Sequence, residues 1–288
     1  MRSRSTGWRV LRRSLKSFVA HDMATYAAAL AYQVLFSLFP FLIFLVALLG
    51  FLQVPEFFDW LRQQAAVLLP AQALEPVNTA IDQIQQPRGG LLSFGILLAL
   101  WSASAGVRAT MNALNVAYGV SEGRPAWKLY LLSLLYTVGL AALLITAAAL
   151  MVLGPQGTGW LGDQFGLGAA MVTVWNVLRW PLATALLFVT VALIYYAAPD
   201  VEQRLRFITP GSVLAVVVWI AASLGFAFYV QNFADYSATY GSVGAIIVLL
   251  FYFYLSAAIL LFGAEVNAAL EHQAPTGKDL GKKTVEEK

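Results

Sequence analysis

Apolar residues run along this chain in long stretches, separated by short polar segments. Six stretches have the roughly 17 to 25 or more predominantly apolar residues that a helical membrane crossing needs. They fall at Thr25–Leu52, Leu91–Val107 (continuing helically to Tyr118), Leu129–Leu153, Pro181–Ala198, Ile208–Val230, and from Tyr240 into the 260s. The last is the most informative, because Ser237–Ala264 carries no charge and ends on Gly263, Glu265 and Asn267. A helix that only anchors has no use for a carboxylate at its end. The fourth stretch is ambiguous. Leu167–Pro199 is 33 residues, too long for an upright crossing, so 167–178 is expected to lie flat or tilted outside it. Gly154–Gly168 reads as a Gly-rich connection.

Between the first two spans lie two amphipathic segments. Phe57, Phe58, Leu61, Ala65, Leu68 and Leu69 mark one, and Leu74, Val77, Ile81 and Ile84 the other. The pattern predicts two short helices over one mouth of the helix bundle.

Composition agrees with the pattern. Sixty per cent of the residues are hydrophobic and 11% charged, against roughly 25% charged in an ordinary soluble domain. The 288 residues hold one membrane domain. The absence of cysteine excludes disulfides, thiolate catalysis and thiolate-bound metals.

Charge orients the spans. The net charge is only +3, but with the N-terminus inside, 14 of the 18 basic residues fall on the cytoplasmic side, and only Arg62 and Arg88 in the outer loops. Arg108 and Arg179 lie in or beside spans. The predicted fold is all-α: a polytopic membrane protein with six transmembrane helices and both termini cytoplasmic, plus short amphipathic helices in the first outer loop. It divides into a basic amphipathic segment at 1–21, a transmembrane domain at 22–272 and a disordered cytoplasmic tail at 273–288. Residues 1–21 hold Arg2, Arg4, Arg9, Arg12, Arg13 and Lys16 and no acid. They read either as a helix lying on an anionic membrane face or as a solvated tail that only sets orientation. The apolar run that follows is too long for a cleavable signal core.

Few polar residues enter the spans, and these are the candidate polar seam or substrate contacts. Gln33 shares a face with Tyr26, Ser37 and Pro40, a face expected to point into the bundle because Pro40 frees a carbonyl that lipid does not satisfy. Arg108 shares a face with Trp101, Ser104, Asn112 and Asn115. A charge there pairs, faces the bundle or snorkels. Arg108 and Glu265 are expected to approach one inner polar region with Asn112, Asn115 and Asn267 near it. Arg179 and Tyr254 complete the set.

Four motifs carry a resemblance. ATYAAALAYQVLFSLFP (24–40), WSASAGVRATMNALNVAYGV (101–120), PGSVLAVVVWIAASLGFAFYV (210–230) and YGSVGAIIVLLFYFYLSAAILLFGAEVNAAL (240–270) stand in order through the chain. Together they resemble the YihY/virulence factor BrkB family of bacterial inner-membrane proteins. One departure is Phe253, where the family often has Trp. The resemblance implies a multi-pass α-helical inner-membrane protein. The family once carried the label ribonuclease BN, since regarded as mistaken. One relative is linked to movement of lipopolysaccharide precursors and another to serum resistance.

Nuclease chemistry needs carboxylates or a His pair converging on one site. The only histidines, His21 and His272, lie outside the apolar spans, and no P-loop, HExxH or nucleophile-elbow motif is present. Asp200 and Glu202 share a loop with Arg204 and Arg206, which reads as a solvated charge cluster. The expectation is therefore a non-enzymatic protein without cofactor or nucleic-acid partner. Its partners are expected to be membrane lipids, anionic ones foremost, and its oligomeric state stays open. Two functions remain in view: translocation of an amphipathic anionic envelope lipid or precursor, and a structural or partner-binding role without a substrate path. A cavity between spans discriminates them.

Overall fold

The computed structural model describes residues 3–51, 89–165, 169–201, 208–233 and 236–271, with Asp59, Arg62, Gln63, Leu74, Glu75, Asn78, Thr79 and Asp82 between them. Among the described residues every regular element is a helix: α1 (Ser3–Ala20), α2 (Met23–Phe51), α3 (Gly89–Ala117), α4 (Ala126–Phe165), α5 (Ala169–Ala197), α6 (Pro210–Phe233) and α7 (Tyr236–Glu271). Each of α2 to α7 contains a segment long and apolar enough to cross a membrane: Met23–Phe44, Ser93–Ala117, Ala126–Ala147, Thr173–Ala197, Pro210–Val230 and Ile246–Glu271. The chain is a polytopic membrane protein, with six such spans among the described residues.

Two expectations are corrected. The Gly-rich connection at 154–168 is helical as far as Phe165, and the stretch expected to lie flat joins the fourth span in one helix from Ala169 with Pro181 inside it. A helix satisfies its backbone donors and acceptors internally, which matters most beside lipid. That requirement outweighs the roughly 1 kcal/mol that each interior glycine costs. The tail at 273–288 lies outside the described residues, as does most of the two amphipathic segments at 57–69 and 74–84. Their described positions are helical, and Arg62 bonds Asp59 at 3.0 Å and Asp82 at 2.7 Å.

The chain divides into two compact units, residues 33–105 and residues 1–32 with 106–288. In the smaller unit, Gln33 Nε2 donates to the Ser102 carbonyl at 3.3 Å, and Pro40 is buried. Gly95 passes so close to α2 that a Cβ on it would stand 3.1 Å from Phe44 Cα.

The larger unit holds a core built from Met23, Ala27 and Leu30 of α2, Met111, Leu114 and Tyr118 near the end of α3, Val191 and Tyr195 of α5, Ala215 and Val216 of α6, and Leu261, Ala264 and Ala268 of α7. All of these lie toward one end of their helices, the end that carries α1. Lipid tails are as apolar as leucine, so close packing and hydrogen bonds hold spans together rather than water exclusion. The small residues follow from this. A Cβ on Gly263 would collide with the Tyr195 hydroxyl, and one on Gly211 with the Gly263 carbonyl, so α6 and α7 meet nearly backbone to backbone, with the Tyr195 hydroxyl of α5 against the crossing. Tyr195, fully buried, donates its hydroxyl to the Leu260 carbonyl at 2.6 Å.

Candidate functional site

Polar groups gather at the α1 end of the larger unit in three clusters. In the first, α1 lays Val10, Ser14 and Phe18 against the last turns of α7. Val10 packs beside Val266 and Ala269, and Phe18 meets Phe262 edge-on at 6.0 Å between ring centroids. The chain then turns at Asp22, whose φ of 52° lies in the left-handed region and whose carbonyl accepts from Thr25 and Tyr26 to start α2. That turn presents His21 Nδ1 to Glu265 Oε1 at 2.6 Å. Glu265 is 1% exposed.

The second cluster caps α6. Thr209 and Ser212 exchange bonds, Ser212 N to Thr209 Oγ1 at 3.1 Å and Thr209 N to Ser212 Oγ at 3.0 Å, around Pro210 in the first helical position. This is a capping box with serine as its second member. The N–H of Gly211, unsatisfied within the helix, donates to Asn267 Oδ1 at 2.9 Å, while Asn267 Nδ2 donates to Thr209 Oγ1 at 3.0 Å.

The third joins the loop after α3 to the loop after α5. Asn115, buried, donates to Glu122 Oε2 at 2.9 Å and accepts from the Asp200 N–H at 2.7 Å. Arg124 grips Glu122 with two bonds at 2.7 and 2.8 Å and donates to the Ala198 carbonyl at 2.9 Å. Asp200 Oδ2 accepts from the Gly123 N–H at 2.9 Å. Burial alone pulls the Glu122 carboxyl upward, but the hydrogen bonds and charge of Arg124 outweigh it and hold the group below its ordinary range.

The seam expected from the sequence is redistributed. Arg108 turns to α4: it donates to Ser133 Oγ at 3.1 Å and lies over the Tyr130 ring at 4.3 Å. Asn112 is exposed. The buried stripe of α3 runs through Ser104, Met111, Leu114 and Asn115 to Tyr118 just past its end, and Asn112 sits over its edge with Trp101, which is also exposed. Asn115, Glu265 and Asn267 thus fall in three separate hydrogen-bonded groups. Tyr254 packs half-buried against the core. Its neighbour Tyr252, outside the candidate set, meets the Ser223 hydroxyl at 3.0 Å. His21, Tyr195 and the Glu122–Arg124 pair were missed too. Among the described residues, no three His, Asp or Glu side chains converge as a metal site would need.

The other end of the unit differs. Helices α6 and α7 run antiparallel. Trp219 Nε1 donates to Ser256 Oγ at 3.0 Å, and above the Ser223–Tyr252 contact the pair encloses a cleft of about 570 Å³. Ala222, Phe226 and Tyr229 line it from α6, and Ile247, Val248, Phe251 and Leu255 from α7. The rings of Phe226 and Tyr252 approach to 5.1 Å at its floor. At the same end of α5, Arg179 Nε and Asn176 Oδ1 are buried without a hydrogen-bond partner among the described residues, one helical turn apart. The Arg179 guanidinium stands 5.8 Å from the Trp180 ring centroid.

Residues 14–287 match the family model described as virulence factor BrkB. A Bacillus subtilis protein named as ribonuclease-like, YfkH, is 39% identical over 90% of this chain and 94% of its own. A UPF0761 membrane protein of Chromohalobacter salexigens is 29% identical over 91% of this chain, and one from Xanthomonas campestris 28% over 85%. The chain spans 63% and 56% of the length of those two relatives. No solved structure matches.

Proposed function

The chain belongs to the virulence factor BrkB family of multi-pass bacterial membrane proteins, and from that premise we propose that it binds an amphipathic anionic envelope lipid, or a precursor of one, and moves it across the membrane. The observation that carries this reading is the cleft between α6 and α7. Its lining is aliphatic and aromatic, its size falls in the range of about 300–1,000 Å³ of ordinary ligand sites, and it lies between two spans. An acyl chain suits such a lining, and a soluble ion does not.

Arg179 supplies the anionic preference. Its Nε donor and the Asn176 Oδ1 acceptor are buried without partners among the described residues. A buried polar group normally has one, and a headgroup would supply partners to both. A guanidinium offers a planar fork that matches phosphate and carboxylate. Arg108 is reserved for no such role, because it already ties α3 to α4.

The reading is non-enzymatic. Asp200, one of two carboxylates that could serve a nuclease, is engaged by Gly123 and stands 3.8 Å from Arg124. The other, Glu202, lies outside the described residues.

Reconstitution into liposomes with fluorescent anionic and zwitterionic lipids tests the proposal. Wild type is expected to move the anionic lipid faster than protein-free vesicles do. Ala222→Trp, which fills the cleft, should abolish this, and Arg179→Ala should erase the preference for the anionic lipid. Negligible movement in wild type, with no lipid retained on purification, overturns it in favour of a structural role. Cleavage of RNA by purified protein, lost in Asp200→Asn, overturns the non-enzymatic reading.

A further inference from the structure

Helix α1 carries three distinct sectors. At about 100° per residue, Val10, Ser14 and Phe18 form one, and this is the sector docked on α7. Trp8, Leu15 and Val19 form a second at i, i+7 and i+11, and they are 67%, 52% and 78% exposed. Arg9, Arg12, Arg13 and Lys16 form the third, all exposed, and Ser3–Ala20 contains no acid. The docked sector carries the apolar packing against α7. It leaves an apolar strip, bordered by four cations, that is exposed among the described residues.

Position says what covers it. A two-residue turn joins α1 to the start of the first span, and α1 rests on Phe262 to Leu270, the last turns of the last span. Both neighbours fix α1 at the level where spans leave the hydrocarbon. An apolar strip at that level meets acyl chains, and cations beside it meet headgroup phosphates.

We propose that the Trp8–Leu15–Val19 strip of α1 embeds in the boundary of an anionic bilayer leaflet, with Arg9, Arg12, Arg13 and Lys16 on its phosphates. The helix is clasped by α7 on one side and by lipid on another. This stands independently of whether lipid is also moved.

The chain has no cysteine, so single spin labels report positions without background. Leu15→Cys and Arg13→Cys lie about 160° apart around the helix at nearly one height. The full-length protein is reconstituted in vesicles of phosphatidylcholine alone or in equimolar mixture with phosphatidylglycerol. In the mixture the label at position 15 is expected to be several-fold more accessible to oxygen than to a water-soluble nickel chelate, and the label at position 13 the reverse. Replacing Arg9, Arg12 and Lys16 with Gln should cut the protection at position 15 several-fold while leaving α2 labels unchanged. Equal chelate access at positions 13 and 15 in the mixture overturns the proposal. So does equal protection in phosphatidylcholine alone, which removes the anionic partner. Protection that grows with protein density points to a second copy, and protection by added RNA but not by lipid to a nucleic acid; either result also overturns it.

Discussion

His21 Nδ1 stands 2.6 Å from Glu265 Oε1, which joins the turn before the first span to the last span, 244 residues away. Glu265 is buried and His21 is about one-third exposed on its side chain. The pair holds α1 to α7 together with the Val10 and Phe18 contacts.

Removing one partner should therefore cost more than altering both. His21→Ala leaves a buried carboxyl group without its hydrogen bond, a loss of about 1–3 kcal/mol. Thermal unfolding of the purified protein should fall accordingly, and α1 should become more sensitive to limited proteolysis. The double variant His21→Ala with Glu265→Leu should recover part of the loss. An unchanged melting temperature in His21→Ala would show that the contact contributes nothing.

The helix crossing at Gly211 and Gly263 makes a sharper prediction. A Cβ on Gly263 would fall on the Tyr195 hydroxyl, within 2.7 Å of the Gly211 carbonyl and 2.9 Å of Ala215 Cβ. Backbone cannot yield as a flexible side chain does, so Gly263→Ala should destabilise by about 1–3 kcal/mol. Gly139 and Gly225 meet no atom within 4 Å. Alanine at either should be neutral, or stabilising by up to about 1 kcal/mol through helix propensity. Melting curves of the three variants decide it, and equal curves would contradict the tight crossing.

Acid should loosen the loop cluster. The folded Glu122 carboxyl lies below its ordinary value of 4.5. Its contribution to stability is then complete above that value and is lost as pH falls through the lowered one. Hydrogen exchange at the Gly123 and Arg124 amides, the latter bonded to Glu122 Oε1 at 2.9 Å, should accelerate below pH 4.5 beyond the intrinsic trend. Glu122→Gln should remove that dependence, leaving a weaker cluster at neutral pH. Matching pH profiles for wild type and variant would refute it.

Orientation has a simple check. Basic residues concentrate on one side of the six spans, so reporter fusions after Gln72 and after Lys283 should report opposite sides, with the second cytoplasmic. Both on one side would contradict an odd number of crossings between them.

The spans were legible because hydrocarbon imposes a single rule, and long apolar runs satisfy it visibly. Partner choice was less so. On α3 the polar positions Arg108, Asn112 and Asn115 share a face, but the buried stripe follows Met111, Leu114 and Tyr118, so Asn112 turns outward and Arg108 reaches α4. Polarity marks residues that need partners without naming them. The inward turn of Gln33 and Pro40 could be read, because a proline leaves a carbonyl that must be satisfied. His21 was passed over because it lies outside the apolar runs; only the turn at Asp22 brings it onto Glu265. The Gly211–Gly263 crossing left a fainter mark, in Gly211 and Ala215 spaced by four, the interval that lets helices approach.

That crossing is also a fulcrum. From Gly211 to Tyr229 the arm is about 27 Å long, and the opposing helix folds back alongside it. A rotation of about 5° at the glycines would sweep the far tip by about 2 Å. A change of crossing angle at the glycines is therefore magnified toward Phe226 and Ile247, and the Trp219–Ser256 and Ser223–Tyr252 bonds between them resist it. At the pivot itself Asn267, Thr209 and Tyr195 hold the crossing, so the shortest lever arm carries the most hydrogen bonds.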